Sequence, residues 1–373
     1  MKSCYKVVIV GFAHMHINDV AASFFANPGT KIVACADTIP ARPELKNGPY
    51  TRKWNLNFCK ENFHIERVYE DWLEMLDKEE PDLALITSEN SMHPVITREC
   101  AKRGIDVIVE KPMASNLKDA VSMASDAKDG NTALITNWPT AWSPVYQRMK
   151  EIVDQGRIGR IIEFKCSMGH TGPLGMDAKH KGVSQIADAM SDSDKGATWW
   201  HSFSAGGGAM IDYCCYGSML CTWMIGSPGI SVMGMRGNFN SHYGDADDNA
   251  VMIVRFADCF SVIEGKWTTF GNADPYGPVI YGTDGAILLT PDHQGLMLAL
   301  PGDKTEIIDC FKQPGVDLSS KYVSFKNELH PLPDLLLPEL NLRAQAIMDA
   351  GLRSSNTRKE ELIDNVSWIA GRL

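Results

Sequence analysis

Ile105-Asp106-Val107-Ile108-Val109-Glu110-Lys111-Pro112 is the stretch that decides how this chain is read. Its apolar residues are mostly β-branched and suit a strand covered on both faces, and Pro112 ends the ladder directly after the lysine. A cation therefore stands at the carboxyl end of a buried strand, the edge of an open α/β sheet where ligands collect. Lys111 is the first catalytic candidate, weighed against the ordinary fate of a charge at a strand end, which is exposure to water.

Toward the N-terminus the same pattern repeats. Residues 7–10 form an apolar run that stops at Gly11 and leads into a helix over 17–25. A second strand over 31–36 stops at Asp37, and a third over 82–87 is followed by a helix over 94–103 closed by Gly104. Beyond the lysine, apolar residues at helical spacing over 117–129 precede a strand over 132–136. Strands alternating with helices predict a doubly wound parallel sheet, with little regular structure assigned to 40–70. After Asn137 the pattern changes. A helix over 144–155 gives way to strand-like runs over 160–166, 230–235, 250–256, 260–269 and 278–290, the last broken at 282–285. Such runs predict a mostly antiparallel sheet, with two helices over 338–350 and 358–373 to close the chain.

The chain has 373 residues and a formal net charge of -10, with a pI near 5.5. No run of basic residues tracks phosphates, so nucleic acid is not an expected partner. No stretch approaches the roughly 18 apolar residues of a membrane span, and residues 1–6 run into the first strand without a signal-peptide core. A cytoplasmic protein with no membrane partner is expected. The ten cysteines form no CxxC pair and read as reduced core residues.

The first turn, Gly11-Phe12-Ala13-His14-Met15-His16, falls in register with GxGxxG but keeps only the first glycine. Ala13 adds a methyl where backbone approaches a pyrophosphate, and His16 replaces a small residue that lets helix and strand pack. The leading amides of the helix can still bind an anion. Gly11, Phe12, Ala13, His14 and His16 are thus expected to border a dinucleotide. Asp37, followed by Thr38 and Ile39 with no adjacent arginine, is expected to accept both ribose hydroxyls and to prefer NAD over NADP, with Arg42 able to oppose this if its loop folds back. A rival reading takes His14-x-His16 as the start of a metal-dependent hydrolase barrel with Lys111 as bridging ligand. It needs further strand-end histidines, and His170, His180, His201 and His242 do not follow evenly spaced parallel strands, so no metal site is expected.

The second decisive element is Gly206-Gly207-Gly208-Ala209-Met210-Ile211-Asp212-Tyr213-Cys214-Cys215-Tyr216, a glycine turn feeding an apolar helix to about residue 224. Asp212 and Tyr216, four apart, share a helix face. An aspartate on such a helix is costly to bury without hydrogen bonds, which argues for a polar cleft; the plainer alternative is an acid favoured by the helix dipole beside a tyrosine half in the core. Before the glycines, 170–205 has no strand pattern and carries His170, Trp199, Trp200 and His201. It is expected to overhang the cleft and offer aromatic faces to a sugar ring, although paired tryptophans are core residues as often. The acidic run 244–249 lacks the ligand spacing of an EF-hand and reads as a hairpin turn.

Glu110-Lys111-Pro112, the loop Thr87-Ser88-Glu89-Asn90-Ser91-Met92-His93, and the glycine run leading to Asp212 and Tyr216 together resemble the glucose-fructose oxidoreductase, inositol dehydrogenase and MocA family over nearly the full length. The loop is similar to that family's A-T-P-N-x-x-H. Tyr216 resembles the glucose-fructose oxidoreductase branch, where many other members carry histidine. The resemblance implies a dinucleotide-binding Rossmann domain over 1–137 and a substrate-binding and oligomerisation α+β domain with a large open sheet over 138–373. NAD would lie between them. It also implies that Ser88, Asn90, His93, Glu110 and Lys111 join the cofactor shell, and that Lys111, Trp138, His170, Trp199, Trp200, His201, Asp212 and Tyr216 face a carbohydrate or glycoside.

The implied activity moves hydride at a secondary hydroxyl or ketone of a sugar, a glycoside (C3 favoured) or a cyclitol. Lys111, Asp212 and Tyr216 are the catalytic expectation, with Asp212 orienting the substrate hydroxyl and Tyr216 moving the proton. The Lys111 ammonium is expected to lower the phenol from its usual pKa of about 10. A non-catalytic nicotinamide-binding sensor is the alternative that fold alone leaves open. Apolar residues destined for both faces of the strands over 251–254 and 260–263 predict a homodimer or homotetramer, unless residues 338–373 cover the second face.

Overall fold

The computed structural model describes residues 2–45, 47–174, 190–270, 277–311 and 315–366. In the first half, β1 (Tyr5–Val10), α1 (Ile17–Ala26), β2 (Thr30–Ala36), α2 (Arg52–Asn62), β3 (Val68–Tyr69), α3 (Trp72–Glu79), β4 (Leu83–Ile86), α4 (His93–Ala101), β5 (Asp106–Glu110), α5 (Leu117–Asp129) and β6 (Leu134–Asn137) alternate along the chain. The strands form one parallel sheet in the order β3-β2-β1-β4-β5-β6. The central strands β4 and β5 are buried throughout, as expected of apolar runs covered on both faces. This open sheet is not the closed barrel that the hydrolase reading needs. The helix α2 lies inside the stretch to which the sequence assigned little.

The order reverses between β1 and β4, and this switch point is where an open α/β sheet binds its ligand. The two strand ends meet there through backbone. Gly11 has φ +85°, and a Cβ on it would come within 2.7 Å of Ser88 Cα, so both the conformation and the close approach require glycine. Thr87 Oγ1 donates to the Gly11 carbonyl across the same gap.

The second half runs α6 (Pro144–Asp154), β7 (Ile161–Gly169), α7 (Asp192–Gly196), α8 (Cys215–Ile225), β8 (Ser231–Gly237), β9 (Asn249–Arg255), β10 (Phe260–Lys266), β11 (Gly277–Gly282), β12 (Ala286–Leu289), β13 (Gly295–Leu300), β14 (Lys304–Asp309), α9 (Leu318–Lys326), α10 (Pro338–Thr357) and β15 (Glu361–Leu362). Nine strands form a mixed sheet in the order β14-β13-β12-β11-β7-β10-β9-β8-β15, in which only β7 and β10 pair in parallel. The turn at 282–285 and the β8 to β9 connection fall where the sequence puts turns.

The expectation of a helix over 358–373 is corrected. Arg358 takes a left-handed conformation at the end of α10, and residues 361–362 pair with β8 as β15. Residues 367–373 lie outside the described residues. The late helices also reach back to the first sheet. Tyr322 of α9 is buried against Tyr5 and Phe24 and donates to Asp106 Oδ2, while Asp349 of α10 accepts from the Leu117 amide.

Candidate active site

Lys111 follows the last residue of β5, and its side chain crosses from the first sheet to the glycine run before α8. Nζ lies 2.6 Å from Asp212 Oδ1 and 3.1 Å from the Asp212 carbonyl. Residues 210–214 form a π-helical turn rather than the α-helix the spacing predicts, and the Asp212 carbonyl within it also accepts from Cys215 Sγ. Such widened turns disrupt the regular backbone ladder and recur at functional sites. Asp247 opens the turn by accepting from the Met210 amide at 2.7 Å, which gives one acid of the 244–249 run a structural role. The other Asp212 oxygen accepts from Trp267 Nε1 at 3.0 Å. Trp267 stands just beyond the end of β10 and was not singled out in the sequence, although a tryptophan closing a strand of the second sheet was its visible signal.

Burial pulls the Lys111 pKa down, but the Asp212 carboxylate, helped by Tyr216 and Cys215, more than offsets it and holds the lysine well above its ordinary range. Asp212 in turn meets a burial penalty that Lys111, and secondarily His170, overcome, so its carboxyl is held below the usual value. The pair is ionised and buried, with hydrogen bonds at each carboxylate oxygen, the condition under which such a pair is tolerated.

Lys111 Nζ also sits over the Tyr216 ring, 4.7 Å from its centroid, and 5.9 Å from the centroid of Tyr213. The ammonium thus meets the π face of Tyr216. The expected lowering of the Tyr216 pKa is corrected: burial pushes the phenol up, and the opposing pull of Lys111 does not offset it. Trp138 braces Tyr216 edge-on at 5.3 Å while its own Nε1 donates to Asn341, so this buried tryptophan supports the tyrosine from behind. His170 packs edge-on against Tyr213 at 5.0 Å and accepts the Gly172 amide on Nδ1. Lys111, Asp212, Tyr216 and His170 are therefore brought together.

His201 is not part of this group. It packs edge-on against Trp267 and Tyr243, and burial lowers its pKa to about 4. Trp199 and Trp200 lie against the glycine turn: Trp199 Nε1 donates to the Ala13 carbonyl at 2.8 Å, and the Trp200 ring meets His14 edge-on at 4.7 Å. Residues 175–189, within the segment expected to overhang the cleft, and His180 among them, lie outside the described residues.

At the switch point the turn satisfies several of its own amides. That of Gly11 donates to Ala36 and that of His14 to Thr87. That of Phe12 donates to Asp37 Oδ1, and that of His16 to His14 Nδ1. Glu110, fully buried, accepts from Asn137 at 2.5 Å on one oxygen and pairs with His16 Nδ1 at 3.0 Å on the other. Burial works against its charge, but His16, Asn137 and Lys111 hold the carboxyl below its ordinary value. His93 is buried with Nδ1 at 3.2 Å from the Met113 carbonyl, which fastens the loop after Lys111.

The ligating atoms of His14, His16 and Glu110 lie within 4.8 Å of one another. A metal is nevertheless poorly served. To accept the His16 amide, His14 Nδ1 needs its lone pair, which leaves the ring proton on Nε2 and no lone pair on that ring for an ion.

A dinucleotide is better served. Asn90 donates to the Gly206 carbonyl at 2.8 Å, tying the β4 loop to the glycine run. Its Oδ1 and Glu89 Oε2 are buried acceptors with no hydrogen-bond partner among the described residues. Ribose hydroxyls are the donors that such acceptors lack. Asp37 stands nearby, but not as expected. Oδ1 takes the amides of Phe12 and Thr38, and Oδ2 takes Arg52 Nε at 2.8 Å, so one lone pair remains where two ribose bonds were expected. Arg42 instead donates to the Gly196 carbonyl. Arg52 opens α2, in the stretch the sequence left unassigned, and was missed for that reason.

Comparison with known proteins agrees with this geometry. The chain is 24% identical over 295 residues to scyllo-inositol 2-dehydrogenase (NAD(+)) of Bacillus subtilis, a match covering 76% of this chain and 74% of that protein. It is 22% identical over 268 residues to levoglucosan dehydrogenase of Pseudarthrobacter phenanthrenivorans, covering 65% of this chain and 64% of that one, just under two thirds of its length. Its fold matches a levoglucosan dehydrogenase solved with NADH and levoglucosan at a TM-score of 0.73 and 17% identity, over 97% of this chain and 100% of that one. Residues 5–137 match the oxidoreductase family with an NAD-binding Rossmann fold and residues 146–288 match the GFO/IDH/MocA C-terminal domain, so the chain belongs to the GFO/IDH/MocA family of NAD-binding oxidoreductases.

Proposed function

We propose that this protein is an NAD-dependent dehydrogenase that interconverts a secondary hydroxyl and a ketone on a polyhydroxylated ring: a sugar, a glycoside or a cyclitol. The observation that carries the reading is the buried Lys111–Asp212 ion pair at the carboxyl edge of the parallel sheet, beside Tyr216. Relatives named for scyllo-inositol and levoglucosan, both polyhydroxylated rings, support the substrate class. When bound, NAD supplies the hydride chemistry.

The residues supply binding, orientation and proton movement. Lys111 and Asp212 present a fixed donor and a fixed acceptor, suited to holding the reacting hydroxyl. The Tyr216 phenol, kept protonated by burial, is an acid for the oxygen of a ketone undergoing reduction, and the adjacent ammonium stabilises the phenolate left behind. In the oxidising direction the phenol must first lose its proton, a step that burial opposes and the Lys111 ammonium favours, before it can take the proton of the substrate hydroxyl. Within the class we favour oxidation of a glycoside at C3, a choice that rests on the family resemblance.

Mass spectrometry of the denatured, purified protein tests for released nucleotide, and a panel of sugars, glycosides and cyclitols followed at the nicotinamide absorbance tests turnover. Turnover of a C3-deuterated glycoside slower than that of the unlabelled one supports the C3 assignment. Equal rates under conditions where hydride transfer limits turnover would exclude it, and binding of NAD without turnover of any panel member would favour a sensor.

A further inference from the structure

The corner of the site around Asp37 contains more charge than recognition of a ribose requires. Arg52, 7% exposed, spreads its guanidinium over three partners. Nε donates to Asp37 Oδ2 at 2.8 Å, Nη1 to Glu89 Oε1 at 2.6 Å, and Nη2 to the Thr38 carbonyl at 3.0 Å and Oγ1 at 2.6 Å. Four of its five donors are thereby spent. Glu89 is wholly buried, and its Oε1 also accepts the Ala41 amide at 3.0 Å. Its Oε2 has no hydrogen-bond partner among the described residues. Glu44 accepts the backbone amide of Arg52 at 2.9 Å, which adds a third carboxyl group to the corner.

An arginine beside the adenosine ribose is ordinarily the group that accepts a 2′-phosphate, through its planar fork of donors. Here the fork is turned edge-on into two carboxylates and a threonine. The orphaned Glu89 oxygen is the second, independent observation. A buried acceptor left without a donor is costly, and a ribose hydroxyl would supply one.

We propose that Glu89 is a cofactor-specificity residue, a role that rests on the NAD-dependent reading above. It pins Arg52 against Asp37, keeps the corner net negative, and offers through Oε2 the hydroxyl acceptor that Asp37 lacks. A free 2′-hydroxyl is accepted and a 2′-phosphate refused. Asp37 alone does not account for the selectivity, because three of its four acceptor positions are already taken by Phe12, Thr38 and Arg52.

The test is titration of the full-length protein with NAD and with NADP by calorimetry, which reads binding without turnover. Wild type is expected to bind NAD more tightly. Glu89→Gln keeps the shape of the side chain and removes its charge; NAD is expected to weaken several-fold and NADP to tighten, narrowing the preference by about tenfold or more. In Glu89→Gln/Arg52→Gln the gain in NADP binding is expected to vanish, since it depends on the released guanidinium.

A measurement without variants serves if these proteins fold poorly. Raising KCl from about 50 to about 500 mM screens a net-negative corner and is expected to narrow the wild-type preference. Equal changes in both affinities for Glu89→Gln, or a wild-type ratio that ignores salt, would overturn the proposal and leave NAD dependence standing. Wild type that binds neither nucleotide would overturn both.

Discussion

Lys111 and Asp212, 101 residues apart in the chain, meet at 2.6 Å and fasten the ligand edge of the parallel sheet to the glycine turn that precedes α8. The contact joins three local features. β5 carries the lysine to the sheet edge, Pro112 stops the strand behind it, and the π-helical turn presents both the carboxylate and the carbonyl of Asp212 to one ammonium. Two buried charges are costly apart and tolerable together, so each residue fixes the protonation state of the other.

Removing either partner should therefore reduce stability and activity together. Lys111→Ala and Asp212→Ala are each expected to lose about 3–5 kcal/mol in urea unfolding, the usual cost of stranding a buried charge. Each should also lower turnover by about 10²-fold or more. The double variant Lys111→Met/Asp212→Leu should be more stable than either single variant and remain inactive. Recovery of turnover in the double variant would show that the pair is structural only.

Tyr216→Phe removes one oxygen from a ring held by Trp138 on one side and Lys111 on another. Turnover is expected to fall by about 10²-fold, with the NAD dissociation constant changed by less than about twofold. Because burial raises the phenol, the wild-type rate should show no ionisation attributable to Tyr216 below pH 10. Full activity in Tyr216→Phe would shift proton transfer to His170, the histidine that faces Asp212 and Tyr213.

Legibility in the sequence followed the range of the interactions. The strand ending at Glu110 could be read because a β-branched run, a lysine and a proline are consecutive, and Gly11 because a turn at the end of a strand is a local event. Asp212 and Tyr216 were legible as neighbours on one helical ridge, yet the π-helical turn around Asp212 left no residue signature apart from the glycines before it. Arg52 and Trp267 were not legible, because each earns its role from a partner far along the chain: Asp37 and Glu89 for the first, Asp212 for the second. The Tyr216 pKa was misread for a related reason. Adjacency to a cation could be guessed from motifs, whereas the depth of burial that outweighs it belongs to the packed molecule.

The Glu44 carboxyl gives a pH test independent of turnover. Burial raises its pKa from 4.5 to about 7, against the hydrogen bond from the Arg52 amide and the Arg52 charge. Between these values the folded chain holds a proton that the unfolded chain releases, so this group's contribution to stability falls as pH rises from 4.5 to 7. His201 acts in the opposite sense: burial depresses it to about 4, and it favours the folded state as pH rises from there to 6.5. Glu44→Gln removes only the first effect. Relative to wild type, the variant should gain roughly 1–3 kcal/mol between pH 5 and pH 8 in urea unfolding. A pH-independent difference would mean that Glu44 is charged throughout.

The final prediction concerns the outer face of the nine-stranded sheet. Strand register aligns Val232, Val254, Ser261, Phe164, Ile280, Ile287 and Leu298 on one face, all at 0% exposure. One residue along, Met233, Ile253, Val262, Lys165, Val279, Leu288, Met297 and Ile307 align on the other face, where Met233, Ile253 and Ile307 are 50%, 48% and 59% exposed. Helix α10 does not cover this second row. Ser354 Oγ accepts from the Gly234 amide, and a Cβ on Gly234, which pairs with buried Met252, would strike the Gly351 carbonyl, which puts α10 on the inner face. An apolar row of this length, broken only at Lys165, is uncommon on a monomer, and a second copy related by a twofold axis would bury it against itself. Light scattering at micromolar concentration is expected to give two or four times 41.2 kDa. Ile253→Glu places a charge on an exposed residue near the β8 end of the row and should shift the mass toward one chain without unfolding the protein. A wild-type mass of one chain would refute the interface, and an Ile253→Glu variant that keeps the wild-type assembly would move the contact to another surface.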